Sequence, residues 1–272
     1  MTSLAQTAGR YKRAAATQWR VILALFLRET RTRFGHRRLG IIWCVAEPIL
    51  HIVAFAMLAL TFERIGPYFI PYILFLISGV LPFFLFRQAY NRTIGAIDAN
   101  NALLVFPQIT FMDLTISRLL LEILSFTIAF ALILGCYIWL NGAFQIGNLA
   151  RAMFVYCLFP LFGFALGLFM RPLIAVIPIL DGIVSFFMRI LYFASGALIA
   201  IERLPPDIQF YLRYNPLAHA MELFRDSLFA QYWISPGFGD WGYIGLWIIL
   251  LLGMSGVLEK RFYRWIVNKS ND

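Results

Sequence analysis

Residues 41–62 read IIWCVAEPILHIVAFAMLALTF, and this stretch decides the fold. A helix of that length rises about 33 Å, enough to cross the ~30 Å hydrocarbon core of a bilayer. Within it Trp43, Glu47, His51 and Phe55 recur at every fourth position. That spacing puts them on one slowly drifting helical face. Lipid does not favour a carboxylate or an imidazole, so this face wants protein or a water-filled path.

The rest of the chain has the same character. Hydrophobic residues are 61% of the 272 and charged residues only 14%, where a soluble domain carries about a quarter charged. Six apolar stretches are long enough to span: 41–62, 68–87, 114–140, 149–170, 173–200 and 241–258. They use nearly the whole length, which excludes a soluble domain on a single anchor. The predicted fold is an all-α integral membrane protein with six transmembrane helices. Residues 1–40 form an N-terminal region and 41–272 the six-span domain, with longer connections at 88–113 and 201–240.

Charge predicts the orientation. Under the six-span reading, 17 of the 23 Lys and Arg residues lie on the side of the N-terminus, five lie opposite, and Arg189 falls inside a span. Such an imbalance places both termini in the cytoplasm. The net charge of +9 is then mostly a topology signal plus attraction to anionic headgroups. A nucleic-acid partner is not expected, because no basic, aromatic-interleaved soluble domain exists to carry one. The first 40 residues lack the short apolar core and small-residue cleavage site of a signal peptide. Cys44, Cys136 and Cys157 all fall within spans and read as small buried hydrophobes.

Two segments on the predicted cytoplasmic face stand out. In 17–38, Trp19, Ile22, Leu23, Phe26 and Leu27 share one helical face, and Arg20, Arg28, Arg31 and Arg33 lie mainly elsewhere. This predicts an amphipathic interfacial helix, serving as a lipid-surface anchor or as a collar that also touches a partner. In 88–113, residues 91–104 predict a short helix with Asn91 as its cap and Pro107 as its stop. It would expose Arg92, Thr93, Asp98, Asn100 and Asn101, a pattern suited either to a solvated connector or to docking in a partner's groove.

Catalytic motifs are missing. The sequence contains no GxxxxGK[ST], HExxH or GxSxG, so it does not bind and hydrolyse ATP through a phosphate loop of its own. His36, His51 and His219 show no metal-ligand spacing. Glu202, Asp207, Glu222 and Asp226 are interspersed with Arg203, Arg213 and Arg225 and read as surface pairing. The fifth span carries a second polar stripe: Asp181, Ser185, Arg189, Tyr192 and Gly196. An arginine at a helix centre costs about 2.5–3.5 kcal/mol on insertion scales. Arg189 therefore predicts either an interhelical pair with Glu47 or Glu122, or a basic element in a path for a polar substrate. Gly163 and Gly167 form a GxxxG pair that allows close helix packing.

Several runs, in order along the chain, resemble type 2 ABC exporter permeases. They are RETRTRF at 28–34, LGIIW at 39–43 with Glu47-Pro48, SGVLPFF at 78–84, NALL at 101–104 with Phe106-Pro107 and Asp113, and NPL at 215–217 with Arg225. Within that family, the LLVFPQ run at 103–108, lacking a basic pair, and Phe83 after Pro82 are most similar to the capsular polysaccharide export branch.

The resemblance implies a homodimer around a central conduit and two copies of a separate ABC ATPase subunit that supply ATP and Mg, with no cofactor bound by this chain. It implies ATPase contacts at Arg28, Arg31, Arg33, Arg92, Thr93, Asp98, Asn100 and Asn101. It also implies short re-entrant outer helices in 201–236 before the last span, where Pro205-Pro206 and Pro216 punctuate the sequence. The first and fifth spans would flank the path, which makes Trp43, Glu47, His51, Phe55, Asp181, Ser185, Arg189 and Tyr192 the candidate path residues. The expected function is a non-enzymatic permease subunit, in the bacterial inner membrane, that exports a lipid-linked anionic polysaccharide. Periplasmic adaptor and outer-membrane export proteins would be further partners. The rivals are a secondary transporter, which would show internal repeats and broken helices, and a membrane glycosyltransferase or ligase, which would need clustered carboxylates or metal ligands.

Overall fold

The computed structural model describes the backbone of residues 2–35, 39–61, 70–96, 103, 106 and 108–269, with side chains described within 16–32, 46–57, 70–96, 103, 106 and 108–262. Among these residues the chain is helical, and the sole β feature is an isolated bridge between Ile146 and Phe229. The elements are α1 (Thr2–Gly35), α2 (Leu39–Thr61), α3 (Tyr72–Ile94), α4 (Phe111–Asn141), α5 (Leu149–Val176), α6 (Ile179–Ala194), a 3-10 turn (Ile201–Arg203), α7 (Pro206–Leu212), α8 (Pro216–Leu228) and α9 (Trp241–Lys269). Four described stretches are long and apolar enough to cross a membrane: Tyr72–Ile94, Phe111–Asn141, Leu149–Val176 and Trp241–Phe262.

The central helix is α3. Every residue from Leu74 through Phe86 is buried, as expected of a helix that is apolar all round. It packs on α2, α4 and α5, and α5 packs in turn on α8 and α9. The α3–α5 contact is close because of Gly163 and Gly167. A Cβ at Gly163 would lie 2.2 Å from the Phe86 carbonyl oxygen, and one at Gly167 would lie 2.6 Å from Thr93 Cβ. Small residues at such positions let backbones approach where lipid offers no hydrophobic drive.

The bundle has two differently built ends. At one end α1 lies against α4. Thr110 and Asp113 cap α4 reciprocally, and Asp113 also accepts a hydrogen bond from Gln18 of α1. Arg118 of α4 pairs with Glu29 of α1 at 3.2 Å and donates to the Gly95 carbonyl at 3.0 Å. Arg171 joins α5 to Glu259 of α9 at 2.5 Å.

The opposite end holds α7 and α8. There Arg225 is wholly buried and donates to the Gly196 carbonyl at 2.7 Å, the Ala197 carbonyl at 3.2 Å and Ser78 Oγ at 3.2 Å. Its guanidinium also lies 3.7 Å from the Phe75 ring centroid. Glu222, equally buried, accepts from the Tyr232 hydroxyl and the Ser235 amide at 2.7 and 2.8 Å. Burial pushes the Tyr232 phenol well above its ordinary range, so it stays a donor to that carboxylate.

These observations correct four expectations. Glu222 and Arg225 are core groups rather than surface charges, because each is surrounded by donors or acceptors from the chain itself. Residues 91–104 do not begin a separate helix at Asn91. Instead α3 continues through Ile94 and closes when the Gly95 amide donates to the Asn91 carbonyl. The stretch 173–200 is not one continuous helix. α5 extends through Val176, Pro178 precedes a new helix, and α6 stops at Ala194 before Gly196 at φ +76°. Pro lacks the N–H that continuation needs, and a positive φ is reached readily by glycine. Finally, Cys136 and Cys157 are exposed on the outer faces of α4 and α5.

The packing makes a paired prediction. Gly163→Ala drives a methyl into the Phe86 carbonyl and should destabilise by about 1–3 kcal/mol. Gly135→Ala, where nothing lies within 4 Å of the added Cβ, should be neutral. Thermal unfolding of both variants in detergent checks this, and equal melting would refute the close α3–α5 contact.

Candidate functional site

The two polar stripes meet. A cavity of about 500 Å³ opens between α2, α3 and α6. His51 and Phe55 line it from α2, and Ser185, Arg189 and Tyr192 from α6. The third wall comes from α3 and includes Phe83, Arg87, Tyr90 and Asn91.

Local geometry explains the placements. His51 lies one turn after Glu47, and its Nδ1–H donates to the Glu47 carbonyl at 3.0 Å. This fixes the ring and leaves Nε2 as an acceptor in the neutral form. The imidazole sits edge-on to Phe84, with centroids 4.8 Å apart. Tyr192 closes α6 onto its neighbours: its ring centroid is 4.7 Å from Phe83, 5.8 Å from Phe84 and 6.4 Å from both His51 and Phe55. The α6 helix is correctly aimed because Arg225 grips the carbonyls of Gly196 and Ala197 just beyond its end.

Arg189 pairs with neither Glu47 nor Glu122. Glu47 binds Arg87 at 2.7 Å and Glu122 binds Arg92 at 2.8 Å. Arg189 makes no ion pair among the described residues. Its exposed side chain borders the cavity, whose lining contains no carboxylate. Arg87 also lies 4.4 Å from the Phe84 ring centroid. Tyr90 and Tyr192 are 2% and 9% exposed, and their hydroxyls have no hydrogen-bond partner among the described residues.

Not every candidate gathers here. Asp181 sits in the first turn of α6, exposed and outside the lining. Trp43 lies in α2, but its side chain is outside the described residues. Of the ATPase-contact candidates, Arg28 and Arg31 are exposed on α1, and Arg92 is tied to Glu122. Thr93 is a correction. It is 1% exposed, its hydroxyl donates to the Ala89 carbonyl, and it packs beneath Gly167, so it presents no surface to a partner. The side chain of Arg33 and all of Asp98, Asn100 and Asn101 lie outside the described residues.

Arg87, Tyr90 and Asn91 are site residues that the sequence reading missed. Their four-residue spacing from Phe83 through Arg87 to Asn91 is the same signal that marked α2. Among the described residues no cluster of His, Cys, Asp and Glu could hold a metal ion.

Comparison with known proteins gives the class. Residues 20–229 match the ABC-2 type transporter membrane family. The chain belongs to that family and is a multi-pass membrane transport protein. It is 34% identical over 216 residues to the polysialic acid transport protein KpsM of Escherichia coli, covering 79% of this chain and 83% of KpsM. It is 29% identical over 260 residues to the capsule polysaccharide export inner-membrane protein BexB of Haemophilus influenzae, covering 94% and 96%. It is 27% identical over 242 residues to the capsule polysaccharide export inner-membrane protein CtrC of Neisseria meningitidis serogroup A, covering 88% and 91%.

The Glu47–Arg87 pair is testable by a double-mutant cycle. Arg87→Gln strands a half-buried carboxylate and should lower detergent stability. Adding Glu47→Gln should recover part of that loss, with a coupling of about 1 kcal/mol. Strictly additive effects would show that the pair does not form.

Proposed function

We propose that this chain is the permease subunit of an ATP-driven exporter that moves a lipid-linked, anionic capsular polysaccharide across the bacterial inner membrane. Membership of the ABC-2 type transporter family, with capsule-export relatives matched over most of their length, carries the reading. The cavity supports it from the geometry, since polar and aromatic groups from α2 and α6 face one another inside an apolar bundle.

In this reading the chain crosses the membrane six times. The α6 helix rises only about 24 Å, yet it leads from α5, whose Arg171 is tied to α9, to the turn held by Arg225 at the α8 end. The α2 helix supplies the other crossing beyond the four already described. Both termini and the α1 end face the cytoplasm, α7 and α8 form the re-entrant outer segment, and α1 is the interfacial helix.

Two copies enclose the conduit, with Glu47, His51, Asp181, Ser185, Arg189 and Tyr192 beside it. Exposed apolar side chains on α2 and α6, including Leu50, Met57, Phe186 and Phe187, suit burial by lipid or by the second copy. A separate ABC ATPase, which binds ATP and Mg, docks on α1 near Arg28 and Arg31 and on the α3–α4 connection. Arg118 touches both α1, through Glu29, and the start of that connection, through Gly95. It therefore offers a route by which ATPase closure moves α4. Periplasmic adaptor and outer-membrane export proteins would receive the glycan.

The decisive experiment is affinity capture of the tagged protein from membranes in mild detergent, followed by mass spectrometry. A stoichiometric subunit carrying a Walker motif is expected. A reproducible homo-oligomer without any ATPase would overturn the reading in favour of a secondary transporter or membrane enzyme.

A further inference from the structure

Two buried tyrosines whose hydroxyls have no partner among the described residues line one cavity. Such groups are rare in folded proteins, and each unpaired one costs about 1–3 kcal/mol. Tyr90 comes from α3 and Tyr192 from α6, so each of two cavity walls contributes one such residue. Beside them stand Arg189, which lacks an acidic partner among the described residues, and the hydroxyl of Ser185. Arginine is a donor only, and phenol and alcohol O–H groups can each donate one bond. The ligand that satisfies this set is acceptor-rich and negatively charged. Phe83 and Phe193 complete the walls, and flat aromatic surfaces suit the apolar faces of a sugar ring. The volume of about 500 Å³ lies within the ~300–1,000 Å³ range of small-ligand sites.

We propose that this cavity is an oxyanion-recognition site: Arg189 and the Tyr90 and Tyr192 hydroxyls grip one phosphate or carboxylate group of the exported conjugate. The proposal rests on the exporter reading for its substrate and adds the group recognised and the residues that recognise it. Arg87 has a distinct role. Its pairing with Glu47 withholds its charge from the ligand, so Arg189 is the cation that the cavity offers. An oxyanion held by one arginine and two neutral donors is bound selectively but not tightly. A conduit requires this, because a site that binds too well does not release.

The test uses the full chain in phosphatidylcholine nanodiscs and three ligands of one alkyl length, each below its micellar concentration. These are octyl phosphate, octyl glucuronide and the neutral octyl glucoside. Binding is titrated by saturation-transfer NMR. At least one anionic ligand should bind about tenfold more tightly than the glucoside. Arg189→Gln should shrink that preference to twofold or less. The double variant Tyr90→Phe/Tyr192→Phe removes two hydroxyls while keeping both rings, so it also serves if Arg189→Gln fails to fold. It should weaken anion binding at least fivefold and glucoside binding by less, so that the anion preference falls.

Preference for the phosphate alone assigns the site to the linkage between lipid and glycan, and preference for the glucuronide alone assigns it to a sugar carboxylate. Equal binding of all three ligands, or an anion preference untouched by both sets of substitutions, overturns the proposal. Measuring ATPase capture on the same preparations separates the two claims. A captured ATPase without anion preference defeats only this site, and anion preference without a captured ATPase defeats only the exporter reading.

Discussion

Arg225 is the constraint on which the rest of the molecule depends. A guanidinium with no exposure must satisfy its donors internally, and it does so by collecting the carbonyls of Gly196 and Ala197, the hydroxyl of Ser78 and the face of Phe75. Those partners belong to α3 and to the turn after α6, and Arg225 itself belongs to α8. One side chain therefore pins three elements that are far apart in sequence. The close approach shows in the backbone: a Cβ at Gly79 would lie 2.0 Å from the Ala197 carbonyl oxygen. Carbonyls at a helix C-terminus carry partial negative charge, which favours a cation there. The site residues on α6 are thus registered against α3 from the α8 end of the bundle.

The α1 end is organised on a different principle. Ion pairs there are distributed, with Arg118–Glu29, Arg92–Glu122 and Arg171–Glu259 each joining two helices and each setting a buried member (Arg118, Glu122, Arg171) against a partly exposed one. Each such pair keeps one member within reach of water, so it rearranges at lower cost than a fully enclosed guanidinium. A transporter driven from one side needs such an asymmetry. With the ATPase docked at the α1 end as proposed, that end must yield, and the opposite end must hold the path in register.

The amino-acid sequence carried much of this. Four-residue polar spacing on 41–62 and 181–196 marked two of the three walls of the cavity, because a polar stripe in an apolar helix has few explanations. The GxxxG pair located the tight contact with α3, although it could not name the partner helix. Other features were illegible for physical reasons. Arg87 and Tyr90 sit where a span approaches its end, and a charge there reads as a topology signal. Glu222 and Arg225 looked like surface charges because their partners lie in distant segments; Ser78 is 147 residues away from Arg225. The break at Pro178 was visible as a residue but not as a boundary, since the apolar run continues through it. Prolines within helices are tolerated in this same chain at Pro82 and Pro160.

Together these features describe how a membrane protein keeps a polar path without dissolving its own core. Charge deep in the bundle is placed in one of two states. Arg225 is saturated by backbone and immobile, and Glu47 with Arg87 cancels locally. Arg189 and the two tyrosines with unpartnered hydroxyls, Tyr90 and Tyr192, share a single cavity. Unsatisfied donors scattered through the bundle would each cost stability and gain nothing. Collected on the walls of α3 and α6, their cost would be offset by a complementary anion in the proposed site, so the same free energy that penalises the empty site would supply selectivity for the cargo.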